Sequence, residues 1–136
     1  MFAVKASAAG PDPARPRRLL IVDDSNIMRR HIERSQQFDD LEVVGTAANG
    51  VEAVELFKRT DPDVVTMDLT MPQMDGIECI SQLVALKPTV RILVVSALAD
   101  KATAVEAMEK GANGFLNKPF SDRQLNEALA ELLRGS

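Results

Sequence analysis

Residues Asp63 to Gly76 read DVVTMDLTMPQMDG. The apolar run Val64-Val65-Thr66-Met67 stops at an acid, Asp68, and passes into a loop that holds Pro72 and a second acid, Asp75. Such a β-branched run suits a buried strand, and the proline marks its end. Ending a buried strand on a carboxylate is costly unless something pairs with the charge. The stretch therefore predicts both a strand and a site at its end.

Working outward, runs of the same kind recur: LLIV (19–22), LEVVGTA (41–47), DVVTM (63–67), VRILVV (90–95) and NGFL (113–116). Between them lie stretches of helical period, clearest for Leu125, Ala128, Leu129 and Leu132, and again for Ile77, Ile80, Leu83 and Val84. Three helix starts carry a capping pair: Asn49 with Glu52, Asp75 with Glu78, and Ser121 with Gln124. Gly111 and Lys87-Pro88 are read as helix stops. Five strands alternating with five helices imply parallel pairing, because parallel strands need crossovers. Near-continuous apolar strands agree, since both faces of such a sheet are covered. The fold class is α/β, a doubly wound five-stranded parallel sheet.

Length and composition narrow the rest. A chain of 136 residues fits one domain with a proper core, and its single cysteine, Cys79, excludes an internal disulfide. No run approaches the length of a membrane span and no signal-peptide core precedes the first strand, so a cytoplasmic protein without membrane insertion is expected. The net charge is −4; residues 1–17 hold Lys5, Arg15 and Arg17 against Asp12, leaving 13 bases and 19 acids, or −6, in the remainder. An acidic body with five Phe and no Trp or Tyr offers neither a basic stripe nor a stacking platform, which argues against nucleic acid as a partner. Pro11, Pro13 and Pro16 break the opening segment, and residues 1–17 are expected to be a disordered tail, with a fusion remnant or a docking arm as alternatives. The folded domain is expected over 18–136. Because the chain stops soon after the fifth helix, no attached output module is expected.

Reactive side chains follow the apolar runs repeatedly. LLIV precedes Asp23-Asp24, DVVTM precedes Asp68, ILVV precedes Ser96, and GFL precedes Asn117-Lys118. In an open parallel sheet these positions share the carboxyl edge, where ligands bind. Three carboxylates at close quarters repel one another and raise at least one pKa unless a cation shares the site. Oxygen ligands alone suit Mg²⁺ better than Zn²⁺. A metal with open positions, the Lys118 ammonium and the Ser96 hydroxyl together form a set of groups for holding a phosphoryl group.

In these motifs the chain resembles the receiver domains of two-component response regulators, especially the stand-alone chemotaxis receivers and the receiver halves of chemotaxis methylesterases. The likeness covers residues 18–134 and is carried by Asp23-Asp24, by Asp68 in MDLTMPQMDG, by Ser96-Ala97 and by Lys118-Pro119-Phe120. The separations are 44 residues from Asp24 to Asp68, 28 from Asp68 to Ser96 and 22 from Ser96 to Lys118. The resemblance implies a flavodoxin-like sheet of order 2-1-3-4-5 and a cis Lys118-Pro119 bond. It also implies that Asp68 takes a phosphoryl group from a histidine kinase or phosphotransfer protein. Asp24, Asp68 and the backbone carbonyl of Thr70 would bind Mg²⁺, with Asp23 acting through water, while Lys118 and Ser96 would contact the phosphate. Ser96 and Phe115 would form the switch that changes affinity for a downstream target, a flagellar motor switch being one candidate. Thr70 and Leu98 occupy positions that tune dephosphorylation in the family.

Other residues have blander readings. His31 is read as a solvated helix residue far from the carboxyl edge, and Arg29, Arg30 and Arg34 as a solvated helix face, with a kinase docking surface as the alternative. Met71 and Met74 are read as loop packing, Cys79 as a small buried residue and Asp75 as a helix cap. A haloacid-dehalogenase-like phosphatase shares the strand-ending Asp, Mg²⁺, Ser and Lys, but it places a second acid two residues after the nucleophile, where this chain has Thr70. A constitutive binding scaffold is the remaining alternative.

Overall fold

The computed structural model describes residues 16–97 and 100–134. Residues 1–15 of the expected tail and Leu98 lie outside the described residues. Five strands, β1 (Arg17–Val22), β2 (Leu41–Ala47), β3 (Val64–Met67), β4 (Arg91–Ser96) and β5 (Gly114–Asn117), pair in parallel in the order β2-β1-β3-β4-β5. The helices are α1 (Asn26–Ser35), α2 (Gly50–Thr60), α3 (Gly76–Leu86), α4 (Lys101–Glu109) and α5 (Asp122–Arg134). The expected class and strand order are both found.

Successive strand residues face opposite sides, so each central strand feeds two cores. Leu20, Val22, Val65, Met67, Ile92 and Val94 pack with Ala53, Phe57, Ile80 and Leu83 on one side. On the other, Leu19, Ile21, Val64, Leu93 and Val95 pack with Ile32, Leu125, Leu129 and Leu132. Thr66 is buried among these strands, and its hydroxyl has no hydrogen-bond partner among the described residues. The β1–β2 register slips between Leu19 and Leu20, which pair with Val43 and Gly45, so Val44 is an extra residue in the outer strand.

The caps form as the sequence implies. Asn49, Asp75 and Ser121 accept from the backbone N–H groups of Glu52, Glu78 and Gln124 at 2.8, 2.9 and 3.1 Å. Ser25 caps α1 by accepting from Met28 N at 3.2 Å. Asp100 caps α4 through Thr103, a pair without the Glu or Gln of a capping box, and sequence reasoning missed it. Lys87 ends α3, and Gly111, at φ +120°, follows α4 in a conformation that a side chain resists. Lys87 also donates to Asp61, Asp63 and the Pro62 carbonyl, tying the end of α3 to the start of β3. By contrast, α4 buries only Ala107 fully and leaves Val105 and Met108 exposed.

Boundaries move by a residue. Arg17, assigned to the tail, is the first residue of β1: its N–H donates to Asp40 O at 2.8 Å, and its guanidinium to Leu133 O at 3.1 Å. Ser96 and Asn117 are the last residues of β4 and β5 rather than the residues after them.

Candidate functional site

Backbone hydrogen bonds at the strand ends build the site. Asp68 N donates to Val22 O at 2.9 Å, Asp23 N to Ala47 O at 3.0 Å, and Lys118 N to Ser96 O at 2.9 Å. Each bond carries the parallel ladder one rung past the regular strand, so Asp23, Asp68 and Lys118 are delivered to the same carboxyl edge by a rigid sheet. Gly76 closes the loop beyond Asp68: its N–H donates to Leu69 O at 3.1 Å, and a Cβ there would overlap the Asp68 carbonyl oxygen. That close approach explains the glycine one residue after the Asp75 cap.

Asp23 is buried and satisfied at every polar atom. Oδ1 accepts from Ser25 N at 2.9 Å, Oδ2 from Lys118 Nζ at 2.7 Å, and the carbonyl from Arg29 Nη1 at 2.6 Å. Asp68 is buried as well; Lys118 Nζ stands 3.8 Å from its Oδ1, which also accepts from Thr70 N at 3.3 Å. Asp24 is exposed, and its carboxylate makes no hydrogen bond or ion pair among the described residues. Asp23, Asp24 and Asp68 each offer an oxygen, all within 4.8 Å of one another. Three hard oxygen donors, without imidazole or thiolate, fit a hard dication.

The crowding shows in Asp68. Its carboxyl is pushed from the ordinary 3.8 up to about 6, first by burial, then by the charge of Asp23; Lys118 and the Thr70 N–H pull it down, and Asp24 adds a small upward push. The repulsion expected from the sequence is present, but desolvation is the larger cause.

Ser96 is fully buried at the end of β4 and joined to Lys118 through the backbone. Thr70 is exposed beside Asp68. Phe115 lies below the edge, opposite Val94, half-buried against the core under α2 and α3. Lys118-Pro119 is cis. Asp75 is committed to α3, Cys79 is buried with its thiol pushed up to about 12 by that burial, and Met71 and Met74 pack on the core.

Two readings need correction. His31 is not simply solvated: it is half-buried, its ring centroid 5.4 Å from that of Phe120, two residues after Lys118. Arg29 is not merely part of a solvated face, since its guanidinium bonds Asp23, whereas Arg30 and Arg34 are exposed as expected. The signal was a cation in the first turn of a helix, where the dipole disfavours it.

The family model for the response regulator receiver domain matches residues 19–130. The chain belongs to that family. Among relatives of this receiver, the chemotaxis protein CheY of Listeria monocytogenes is 43% identical over 112 residues, covering 82% of this chain and 94% of its own. CheY of Thermotoga maritima is 43% identical over 113 residues, with 83% and 94% covered. A protein-glutamate methylesterase/protein-glutamine glutaminase of Photobacterium profundum is 45% identical over 121 residues, but these span 85% of this receiver and only 30% of that protein. Among solved structures, CheY in the CheX-CheY-BeF3-Mg complex of Borrelia burgdorferi superposes with a TM-score of 0.84 at 31% identity, covering 90% of this chain and 92% of that one. The response regulator domain of Thermotoga maritima CheB gives 0.77 at 38%, covering 89% and 96%. The chain is thus a CheY-like receiver domain, which is not by itself an enzyme family. No helix among the described residues is long and apolar enough to cross a membrane.

Proposed function

We propose that this receiver is a phosphorylation switch in which Asp68 accepts a phosphoryl group and the change alters binding to a separate protein. The observation that carries the reading is the buried Asp68 carboxylate at a strand end, with Asp23, Asp24 and Lys118 gathered around it. An Asp68 oxygen attacks the phosphorus of a donor phosphohistidine, the P–N bond breaks, and the imidazole nitrogen leaves with the electron pair and takes up a proton. Lys118 offsets charge on the transferred oxygens, and the Ser96 hydroxyl donates to one of them. Asp24, Asp68 and the Thr70 carbonyl would hold Mg²⁺, and Asp23, with both oxygens already engaged, would act from one layer further out. When bound, the metal neutralises carboxylate repulsion and the charge of the transferring group.

The donor is a histidine kinase or phosphotransfer protein in the cytoplasm, and the protein catalyses only its own phosphoryl transfer and dephosphorylation. The chemotaxis relatives favour a target in motility control, so a flagellar motor switch protein and a CheX-type protein are the first to test. Ser96 and Phe115 carry the change to the face formed by α4, β5 and α5. A phosphatase of the haloacid-dehalogenase kind needs an acid where Thr70 stands, and Asp75 is spent on capping α3.

Incubation with acetyl phosphate and Mg²⁺, read by intact-mass and peptide mass spectrometry, is expected to add one phosphoryl group at Asp68 and none in Asp68→Asn. No adduct in the presence of Mg²⁺ would overturn the reading. Binding to the target with and without beryllofluoride separates a switch from a constitutive scaffold, since a ligand that does not discriminate between states shifts no population.

A further inference from the structure

The first turn of α1 breaks a local rule. Its caps and dipole favour acids there, yet it holds none; instead Arg29, in the fourth helical position, turns its guanidinium back over the helix N-terminus. A cation so placed is disfavoured unless a specific contact compensates. Such a contact exists: Nη1 donates to Asp23 O at 2.6 Å, a short charge-assisted bond, and Nη2 lies 3.4 Å from Asn26 Oδ1. A rule broken at one place with a specific contact in return marks a functional constraint.

The carbonyl that Arg29 binds belongs to the peptide joining the two acids of the pair. Because a peptide is planar, fixing its oxygen fixes the N–H of Asp24 and constrains the rotation that aims the Asp24 side chain. Asp23 needs no such help, since Ser25 and Lys118 already hold its carboxylate. The Asp24 carboxylate has no partner among the described residues and is exposed, so no side-chain contact aims it and the backbone sets where its rotamers can reach. We infer that Arg29 is a positioning residue for the acidic pair: it locks the Asp23–Asp24 peptide and thereby presents the Asp24 carboxylate to a divalent cation alongside Asp68. The inference rests on the metal reading proposed above.

The test compares wild type with Arg29→Ala, Arg29→Gln and Arg29→Lys, using Mg²⁺ alone and isothermal titration calorimetry. Loss of a residue that orients a ligand typically weakens metal affinity by tenfold or more, so the Ala and Gln variants are expected to bind Mg²⁺ about tenfold more weakly. The one bond to the Asp23 carbonyl needs only one cationic N–H, which a lysine ammonium can supply, so the Lys variant is expected to stay within about threefold of wild type. Charge alone predicts the reverse: removing a nearby cation strengthens attraction for a dication. Without metal, the amide resonance of Asp24 should shift in the Ala and Gln variants and return toward its wild-type position in the Lys variant, while thermal midpoints in EDTA report folding separately. If the Ala variant fails to fold, the Gln and Lys variants carry the same comparison. Mg²⁺ binding that is equal or tighter in the Gln variant overturns the inference while leaving the metal reading intact. Wild-type protein that binds no Mg²⁺ overturns both.

Discussion

Lys118 is bonded to Asp23, at 2.7 Å, and stands 1.1 Å further from Asp68, at 3.8 Å. The ammonium thus rests on the acid that is fully engaged and leaves the proposed acceptor the less compensated of the two. Removing it strands a buried charge. Lys118→Met is expected to destabilise the metal-free protein by roughly 2–3 kcal/mol, below the usual loss for a broken buried pair because the ammonium is partly exposed. Mg²⁺ should restore part of that loss while phosphoryl uptake stays impaired. Urea denaturation with and without Mg²⁺ measures both, and wild-type stability in the variant would refute the pairing.

Asp68 supplies the pH dependence. Its folded pKa of about 6 lies above the ordinary 3.8, so between these values the folded state binds more protons than the unfolded chain, and stability falls as pH rises through the window. Above that window the ionised carboxylate costs roughly 2–3 kcal/mol. Asp68→Asn should therefore stabilise the metal-free protein by about 2 kcal/mol near neutral pH and flatten the slope between about pH 4 and 6. Mg²⁺ should act oppositely on wild type, stabilising it more as pH rises through about 6. An Asn variant less stable than wild type in EDTA at neutral pH would contradict the account.

Thr66 carries a buried hydroxyl without a partner among the described residues. Valine keeps its shape and removes the unsatisfied group, so Thr66→Val is expected to gain about 1 kcal/mol. A lower denaturation midpoint in the variant would mean that the hydroxyl is satisfied in solution.

Gln73, in the loop after β3, has φ +71°, in the left-handed region that a side chain disfavours. Gln73→Gly relieves that strain but enlarges the entropy of the unfolded chain, which leaves a net gain of only a few tenths of a kcal/mol. Gln73→Val, β-branched in the same conformation, should lose at least about 1 kcal/mol. Equal stability of the Val variant would show that the loop relaxes away from this conformation.

The sheet and most of the site were legible because they rest on one-dimensional signals. Val64, Val65 and Met67 are apolar because the strand is covered on both sides, and an acid directly after such a run must sit at the sheet edge. The contacts that escaped are those between segments distant in sequence or turned back on themselves. The tilted His31–Phe120 ring contact spans 89 residues, and nothing in either neighbourhood announces it. The Arg29 contact is local, yet an arginine in a charged helix reads as solvated until the direction of its side chain is known. Arg17 shows the same limit from another side: its strand bond depends on Asp40, and its guanidinium contact on Leu133.

The light anchoring of α4 has an energetic meaning. A nine-residue helix with one fully buried side chain, Ala107, has little packing to surrender when it moves. Two positions of such a helix can differ by only a small free energy, and about 1.4 kcal/mol of preference changes their ratio tenfold. Under the proposed phosphorylation, one new covalent charge at Asp68 would be leverage enough, and the exposed Val105 and Met108 would move with the helix as a surface open to a partner.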